Sequence, residues 1–468
     1  MISVYYFGVG YAGSCLLLLS HIGRVRESTI KDGELCVKSF RDPVHNLIAF
    51  RDQDRLILDL INTKEVQRLR RIRQLGLSNI AYPGAEHSRF VHSLGVAHLM
   101  QRFLDDPLRD VDAMFQTGVK EYRLLAIASA LLHDVGHGPF SHALESVTHE
   151  RHEKWTTTLI RSPQTEIYQV LEGYESGFAE QVAQVIDRTF APSRAIVKLL
   201  SSQLDMDRTD YLLRDALMTG AGYGSFDVEW LLHVMRLGEV DGEPEVGLDL
   251  FKGKSIAEDY VMSRYYMYLH VYFHRMTRAA EVLVEKLLAR AKEVQAYEQM
   301  LPSLQRLLEG SLRTSDPQAI QDYLKLDDGI LWTAMHLWED HPDPVLRDLS
   351  ARLLHRRLFQ AIDLKDDDHA LSVRSTLLSI ARQKGVAPEY YVIHDRADSN
   401  AYKDDYITAP RQKSGDPILP TPSQNVFLFD DAGRAHDLSK ESFVVEAVRN
   451  RHVSVKRMMC PAEWNVDV

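Results

Sequence analysis

The stretch ALLHDVGHGPFSHALE, residues 130–145, sets His133, Asp134, His137 and His142 into a run that is otherwise small or apolar up to its closing Glu145. A carboxylate buried without a partner costs several kcal/mol. A chain that carries this segment into a core must therefore fold around something that offsets that cost. The histidines are also concentrated, because eight of the 20 fall between His87 and His152, where even spreading would put about three. Imidazole nitrogen and carboxylate oxygen together suit Zn, Mn, Fe, Co or Ni. Two adjacent residues cannot enclose an ion, so further ligands must come from elsewhere, and His92 in HSRFVHSLGVAH and the carboxylates of LDMDRTDYLLRD (204–215) are the candidates. Any one of those carboxylates alone reads as an ion pair on a polar helix face, whereas the cluster points to a metal or catalytic centre. On a helix, His133 and His137 would share a face, and Gly136, Gly138 and Pro139 would break that helix before His142.

The rest of the chain reads as helical. Apolar residues recur at helical spacing through 92–104, 123–134, 178–190, 194–215, 256–292 and 344–362. In 62–77, Val66, Leu69, Ile72 and Leu75 stand at three-residue steps behind an N-cap at Asn62 or Thr63, with Arg68, Arg70, Arg71 and Arg73 around them. Strand-like alternation is nearly absent before 370, apart from a hairpin at 239–251 around Asp241-Gly242; Asp42-Pro43 marks a turn. Beyond 370, YYVIHD (390–395), VFLFD (426–430) and HVSVKRM (452–458) read as strands, 431–433 as a turn and 413–424 as an exposed loop. The expected fold is mainly α, with an N-terminal extension (1–36), a helical core (37–300), a helical extension (301–369) and a smaller α+β C-terminal lobe (370–468).

A net charge of −11 gives no global attraction to nucleic acid or anionic lipid, so a polyanionic ligand needs a local cluster of Arg and Lys. The three cysteines form no framework, which favours a reducing, cytoplasmic setting. The apolar run Cys15–Leu19 is too short to span a bilayer and no positive charge precedes it, so neither membrane anchorage nor export is expected.

His92, His133–Asp134 and Asp207, together with Asp42-Pro43-Val44-His45, QRLRRIRQLG (67–76), HSRF and HSLGV within 83–96, HDVGHGPFSH (133–142) and DMDRTDYLLRD (205–215), resemble the HD-domain deoxynucleoside triphosphate triphosphohydrolases. The likeness covers 38–300 well, the C-terminal part more loosely and the first 35 residues not at all. It makes 37–300 an HD phosphohydrolase domain, and it implies one divalent metal on His92, His133, Asp134 and Asp207, with Mg or Mn accompanying the substrate triphosphate. It implies attack of a metal-activated water or hydroxide on the α-phosphate, releasing tripolyphosphate and the deoxynucleoside. His142, Glu145 and His152 would serve that phosphate, with Glu145 standing where the family has Asp, and His137 would orient the site or contact phosphate. Arg89, Arg208 and Arg264 would grip phosphates, Arg208 replacing a family Lys. Tyr211, Asp215, Tyr268 and Tyr272 would enclose the sugar, with Gln74 at its 3′-hydroxyl, and Leu75 and Tyr272 would disfavour a 2′-hydroxyl. A nucleotide activator site at Lys38, Asn62, Gln67 and Arg70 and a homo-oligomer, dimer or tetramer, are likewise implied. Asn62 stands where the family reads guanine with an Asp, so a response to GTP is not implied. Two alternatives stay open: another HD-type phosphohydrolase acting on a nucleoside monophosphate or other phosphoester, or a non-catalytic binder of nucleotides or single-stranded nucleic acid through RLRRIR.

Overall fold

Pro43 forces a turn after Asp42, and the computed structural model shows what that turn does. It joins β1 (Lys38–Asp42) to β2 (Asn46–Phe50) as an antiparallel hairpin. The Asp42 carboxylate accepts from the amides of Val44 and His45, at 2.9 Å each, and the His45 side chain is buried. The described residues are 38–106, 117–140, 144–145, 150–298, 300–400, 425–449 and 452–466. The N-terminal extension, the 413–424 loop and His142 lie outside them.

Helices α1 (Arg55–Ile61) and α2 (Lys64–Arg68) follow. The helix expected through 62–77 stops early, because a 3-10 turn takes Leu69–Arg71 and Ile72 is extended. Arg68 explains the break. Instead of facing water it is buried, donating from Nε to the Leu326 carbonyl at 2.9 Å and from Nη1 to the His137 carbonyl at 2.8 Å. Its neighbours also find partners inside the chain: Arg70 lies 3.6 Å over the Phe90 ring, Arg71 pairs with Asp327 and Arg73 with Glu86.

The core centres on α3 (Arg89–Asp105) packed against α4 (Arg123–Leu132), whose Val96, Leu99, Phe103, Leu125, Ala128 and Leu131 are buried. Around them lie α5 (His152–Arg161), α6 (Glu166–Tyr174), α7 (Phe178–Ile186), α8 (Arg194–Leu200) and α9 (Met206–Thr219). The 194–215 periodicity is thus two helices. Between them the Asp205 carboxylate accepts from the amides of Ser202 and Arg208, at 2.8 and 2.7 Å, and caps α9. Helix α10 (Val228–Val234) leads to the hairpin β3 (Met235–Val240) and β4 (Glu243–Asp249). Its turn residues Asp241 and Gly242 both have positive φ, 53° and 81°, as a two-residue hairpin turn requires. Then come α11 (Lys254–Met267), a π-helical turn at Tyr268–Tyr272, and α12 (Arg275–Glu293).

The remaining described chain adds α13 (Pro302–Glu309), α14 (Pro317–Tyr323), α15 (Asp328–Trp338) and α16 (Pro344–Leu354), packed with α12 in a second apolar cluster. The 344–362 segment is not helical throughout, since β5 (Phe359–Asp363) follows α16. After α17 (Asp367–Lys384), Pro388 opens a short helix, α18 (Pro388–Tyr391), so only the end of YYVIHD enters a strand, β6 (Ile393–Asn400). Strands β7 (Phe427–Phe429), β8 (Ala435–Asp437) and β9 (His452–Pro461) complete two sheets, ordered β5-β9-β6 and β3-β4-β7-β8. Because β5 precedes 370 and β7 runs parallel to β4, the expected boundary at 370 does not divide the sheets. Residues 37–468 form one unit. Among the described residues no helix is long and apolar enough to cross a membrane.

Candidate metal centre and its cavity

Three helix termini converge on one point. His92 lies in the first turn of α3, His133 ends α4 and is followed by Asp134, and Asp207 lies in the first turn of α9. Asp207 Oδ1 is 3.1 Å from His92 Nε2 and 3.4 Å from His133 Nε2. Asp134 presents Oδ1 to His133 Nε2 at 3.4 Å and Oδ2 to His92 Nε2 at 3.8 Å. The other ring nitrogens are committed, His92 Nδ1 donating to Asp210 Oδ2 at 2.8 Å and His133 Nδ1 to the Ala130 carbonyl at 2.8 Å. Carboxylates and carbonyls only accept, so each Nδ1 carries a hydrogen, and each ring, once a cation takes the place of its second proton, turns an Nε2 lone pair towards the carboxylates. Both Nε2 atoms are buried without a hydrogen-bond partner. Two such nitrogens facing two carboxylates fit a divalent cation.

The electrostatics agree. Burial opposes protonation of His92, yet the facing carboxylates of Asp207 and Asp210 raise its pKa to about 10. Asp134 and Asp207 likewise raise His133 against its burial. Despite their own burial, Asp134 and Asp207 are held below the usual carboxylate range, with His133 foremost among the causes. Such a field draws in positive charge, and a divalent ion satisfies it in place of protons.

His137 is not on a helix with His133. Helix α4 ends at Leu132, and the His137 amide donates to the Asp134 carbonyl at 3.1 Å within a turn. That turn still brings His137 Nε2 to 3.4 Å from Asp134 Oδ1 and stacks its ring on His152, with centroids 3.6 Å apart. Burial pushes the His137 pKa well down, and the Arg89 and His152 charges add to this. His152 Nδ1 donates to Glu145 Oε1 at 2.5 Å, so the longer side chain of Glu145 reaches the histidine. Gly136 makes the approach feasible, since a Cβ there would stand 2.1 Å from the Thr156 amide nitrogen and 2.4 Å from the His152 carbonyl.

A cavity of about 340 Å³ opens beside the centre. Its walls include Asp134, His137, His152, Asp207, Arg89 and Arg208, then Gln74, Leu75, Tyr211, Asp215, Tyr268 and Tyr272, then Phe273, Thr277, Arg278 and Glu281. Arg89 Nη1 donates to Asp134 Oδ2 at 2.5 Å, while Arg208 pairs with Asp205 and the Ser202 carbonyl. Tyr272 Oη donates to Asp215 Oδ2 at 2.8 Å, and burial, with Asp215 beside it, raises the phenol well above its ordinary pKa. The buried Gln74 Oε1 has no hydrogen-bond partner. Arg264 departs from its expected place at the phosphates: it is buried under Tyr268, 5.8 Å from that ring, with Nη1 donating to Gln203 Oε1 at 2.7 Å.

The four residues singled out for an activator fall into two linked pairs. Lys38 Nζ donates to Asn62 Oδ1 at 3.2 Å and Arg70 Nε to Gln67 Oε1 at 2.8 Å, while Gln67 itself donates to the carbonyl of Ile61, next to Asn62.

Of the layer behind the ligands, the sequence offers only Asp210, and that as one of the candidate ligand carboxylates of 204–215. Asp210 is its hub, accepting from His92, from His45 Nε2 at 2.7 Å and twice from Arg214, which also reaches Asp42 at 2.7 Å. This explains why Asp42-Pro43-Val44-His45 accompanies the histidines: its turn aims His45 at the carboxylate that orients His92. His87 is a second omission, as its Nε2 donates to Asp215 Oδ1 at 2.8 Å. The i, i+3 spacing of Asp207 and Asp210 on α9 was the available signal.

Comparison with known proteins agrees with this geometry. Residues 89–215 match the HD domain family. The Bacillus subtilis protein YwfO is 38% identical over 440 residues, 92% of this chain and 93% of that protein. The chain belongs to the HD-domain phosphohydrolases. Within that class, the human deoxynucleoside triphosphate triphosphohydrolase SAMHD1 is 26% identical over 393 residues, 76% of this chain and 59% of that protein. The crystal structure of a phosphohydrolase from Bacteroides thetaiotaomicron superposes with a TM-score of 0.72 at 27% identity, covering 91% of this chain and 99% of that one.

Proposed function

We propose that the chain is a metal-dependent triphosphohydrolase that converts dNTPs to deoxynucleoside and tripolyphosphate. The observation that carries this reading is the continuity of the cavity, which runs from Asp134 and Asp207, the two carboxylates that face His92 and His133, past Arg89 and Arg208 to a wall of Tyr211, Asp215 and Tyr272. A divalent ion held by those four residues would polarise a phosphoryl oxygen and lower the pKa of water. Arg89 and Arg208 would then face the charge that develops on phosphate oxygens. His152, fixed through Nδ1 by Glu145, would hold a proton on Nε2 for the departing 5′ oxygen. His142 is assigned beside it by the resemblance alone. Stacking on His152 and the nearby Asp134 would fix the His137 ring. Asp215 and Tyr272 would take the sugar and Gln74 its 3′-hydroxyl, while Leu75 and Tyr272 would crowd and desolvate a 2′-hydroxyl. Arg264 would act through Tyr268 rather than on phosphate. Lys38, Asn62, Gln67 and Arg70 would form a regulatory nucleotide site in a homo-oligomer. The internal partners of Arg68, Arg70, Arg71 and Arg73 weigh against single-stranded nucleic acid as the ligand of that segment.

Purified protein with Mn²⁺ or Mg²⁺ and each dNTP, resolved by ion-exchange chromatography, should yield deoxynucleoside and tripolyphosphate in equal amounts. Release of orthophosphate or pyrophosphate instead would reject the triphosphohydrolase reading.

A further inference from the structure

With phosphates at the metal end and sugar against Asp215 and Tyr272, the next chain element along the cavity wall is Phe273 and the start of α12. Thr277, Arg278 and Glu281 share one face of that helix and line the cavity with Phe273. This end is braced by the β5-β9-β6 sheet. Arg457 on β9 donates from Nη1 to the Phe273 carbonyl at 2.8 Å. Asp395 on β6, buried, accepts from Arg278 Nη2 at 2.6 Å and Nε at 3.2 Å, and Arg278 Nη1 in turn donates to Glu281 Oε2 at 2.5 Å. A guanidinium whose fork is filled by two carboxylates is an aiming device, and what it aims into the cavity is Glu281.

We propose that Glu281 reads the nucleobase, and that Arg278 and Asp395 are positioning residues for it; this rests on the dNTP reading above. An ionised carboxylate accepts hydrogen bonds and donates none. Guanine presents two adjacent donors, N1–H and the 2-amino group. Adenine and cytosine each present one amino group beside an acceptor, and thymine has a single N3–H between two carbonyl oxygens that a carboxylate repels. The Phe273 ring offers a face to any base and adds no discrimination. The site therefore ranks guanine first and thymine last.

The test is equilibrium binding of the four α-thio dNTPs to the full chain with Mn²⁺. The dGTP analogue should bind tightest and the dTTP analogue weakest. Glu281→Gln should lower the dGTP-to-dTTP affinity ratio by roughly tenfold, the worth of one charge-assisted hydrogen bond, with metal content unchanged. Asp395→Asn should shift the ratio the same way by a smaller factor. Binding of all four analogues with an unchanged ratio in Glu281→Gln overturns the base assignment and leaves the dNTP reading standing. Failure of the wild-type chain to bind any of them overturns both.

Discussion

The two ends of the cavity are built on different principles. At the metal end, the buried side chains of Asp42, His45, His92, Asp134, Asp210 and Arg214 and the partly exposed one of Asp207 form a network in which each side chain fixes the protonation or orientation of the next. At the base end, α12 carries Arg278 and Glu281, partly exposed, and their geometry comes from Asp395 on a strand more than a hundred residues further along the chain. The first end leaves little room for other residue types, since an ion, two lone pairs and two carboxylates have to coincide. The second needs only a face and a few polar atoms, which many sequences can supply.

The largest effect that tests this division is expected from Asp207→Asn, which removes an anionic ligand. Metal content by elemental analysis should fall severalfold, and turnover should fall by about a thousandfold or more, equally for all four dNTPs. A change in the ranking of dNTPs in this variant would break the separation of the two ends. Asp210→Asn comes next. It leaves the ligands in place but withdraws a carboxylate from His92 Nδ1, and metal affinity should drop about 10- to 100-fold in a titration of the metal-free protein. Unchanged affinity would remove Asp210 from the orienting role that its 2.8 Å bond implies.

The contrast also explains what could be read before the structure. The histidines, Asp134 and the 204–215 carboxylates were legible because a buried charge in an apolar run demands a partner, and few residue types can be that partner. The helical body was legible from periodicity. Periodicity misled where a tertiary contact overrode it: Arg68 turns inward to the His137 carbonyl and ends α2, and the Asp205 cap splits 194–215. The Arg278–Asp395 pair and the sheet spanning 359–461 depend on contacts between distant segments, and nothing local in either segment announces the other.

Gly95, in the HSLGV motif, sharpens the comparison at intermediate magnitude. A Cβ there would stand 1.8 Å from Asp210 Oδ1 and 2.5 Å from Arg214 Nη2, so α3 and α9 can approach only through a glycine. Gly95→Ala should destabilise the fold by about 1–3 kcal/mol, the ordinary cost of overpacking, in denaturant unfolding. It should also weaken metal binding by displacing Asp210. Loss of stability without loss of metal affinity would show that the hub tolerates displacement.

The smallest effect concerns His98, on α3 with its ring 5.4 Å from that of His45. Burial lowers its pKa from 6.5 to about 4; the His45 and Arg102 charges add to this, while Asp42 and Gln101 oppose it. The unfolded chain takes a proton on this histidine near pH 6.5 and the folded one does not until about 4. Within that window the unfolded state binds more protons, so stability falls as pH falls, and above pH 6.5 this group adds no slope. His98→Gln removes the titration, and the decline in Tm between pH 7 and pH 5 should be shallower than in the parent chain. An equal decline would show that His98 does not set the acid sensitivity of this range, since the carboxylates of the metal centre lose their charge only at lower pH.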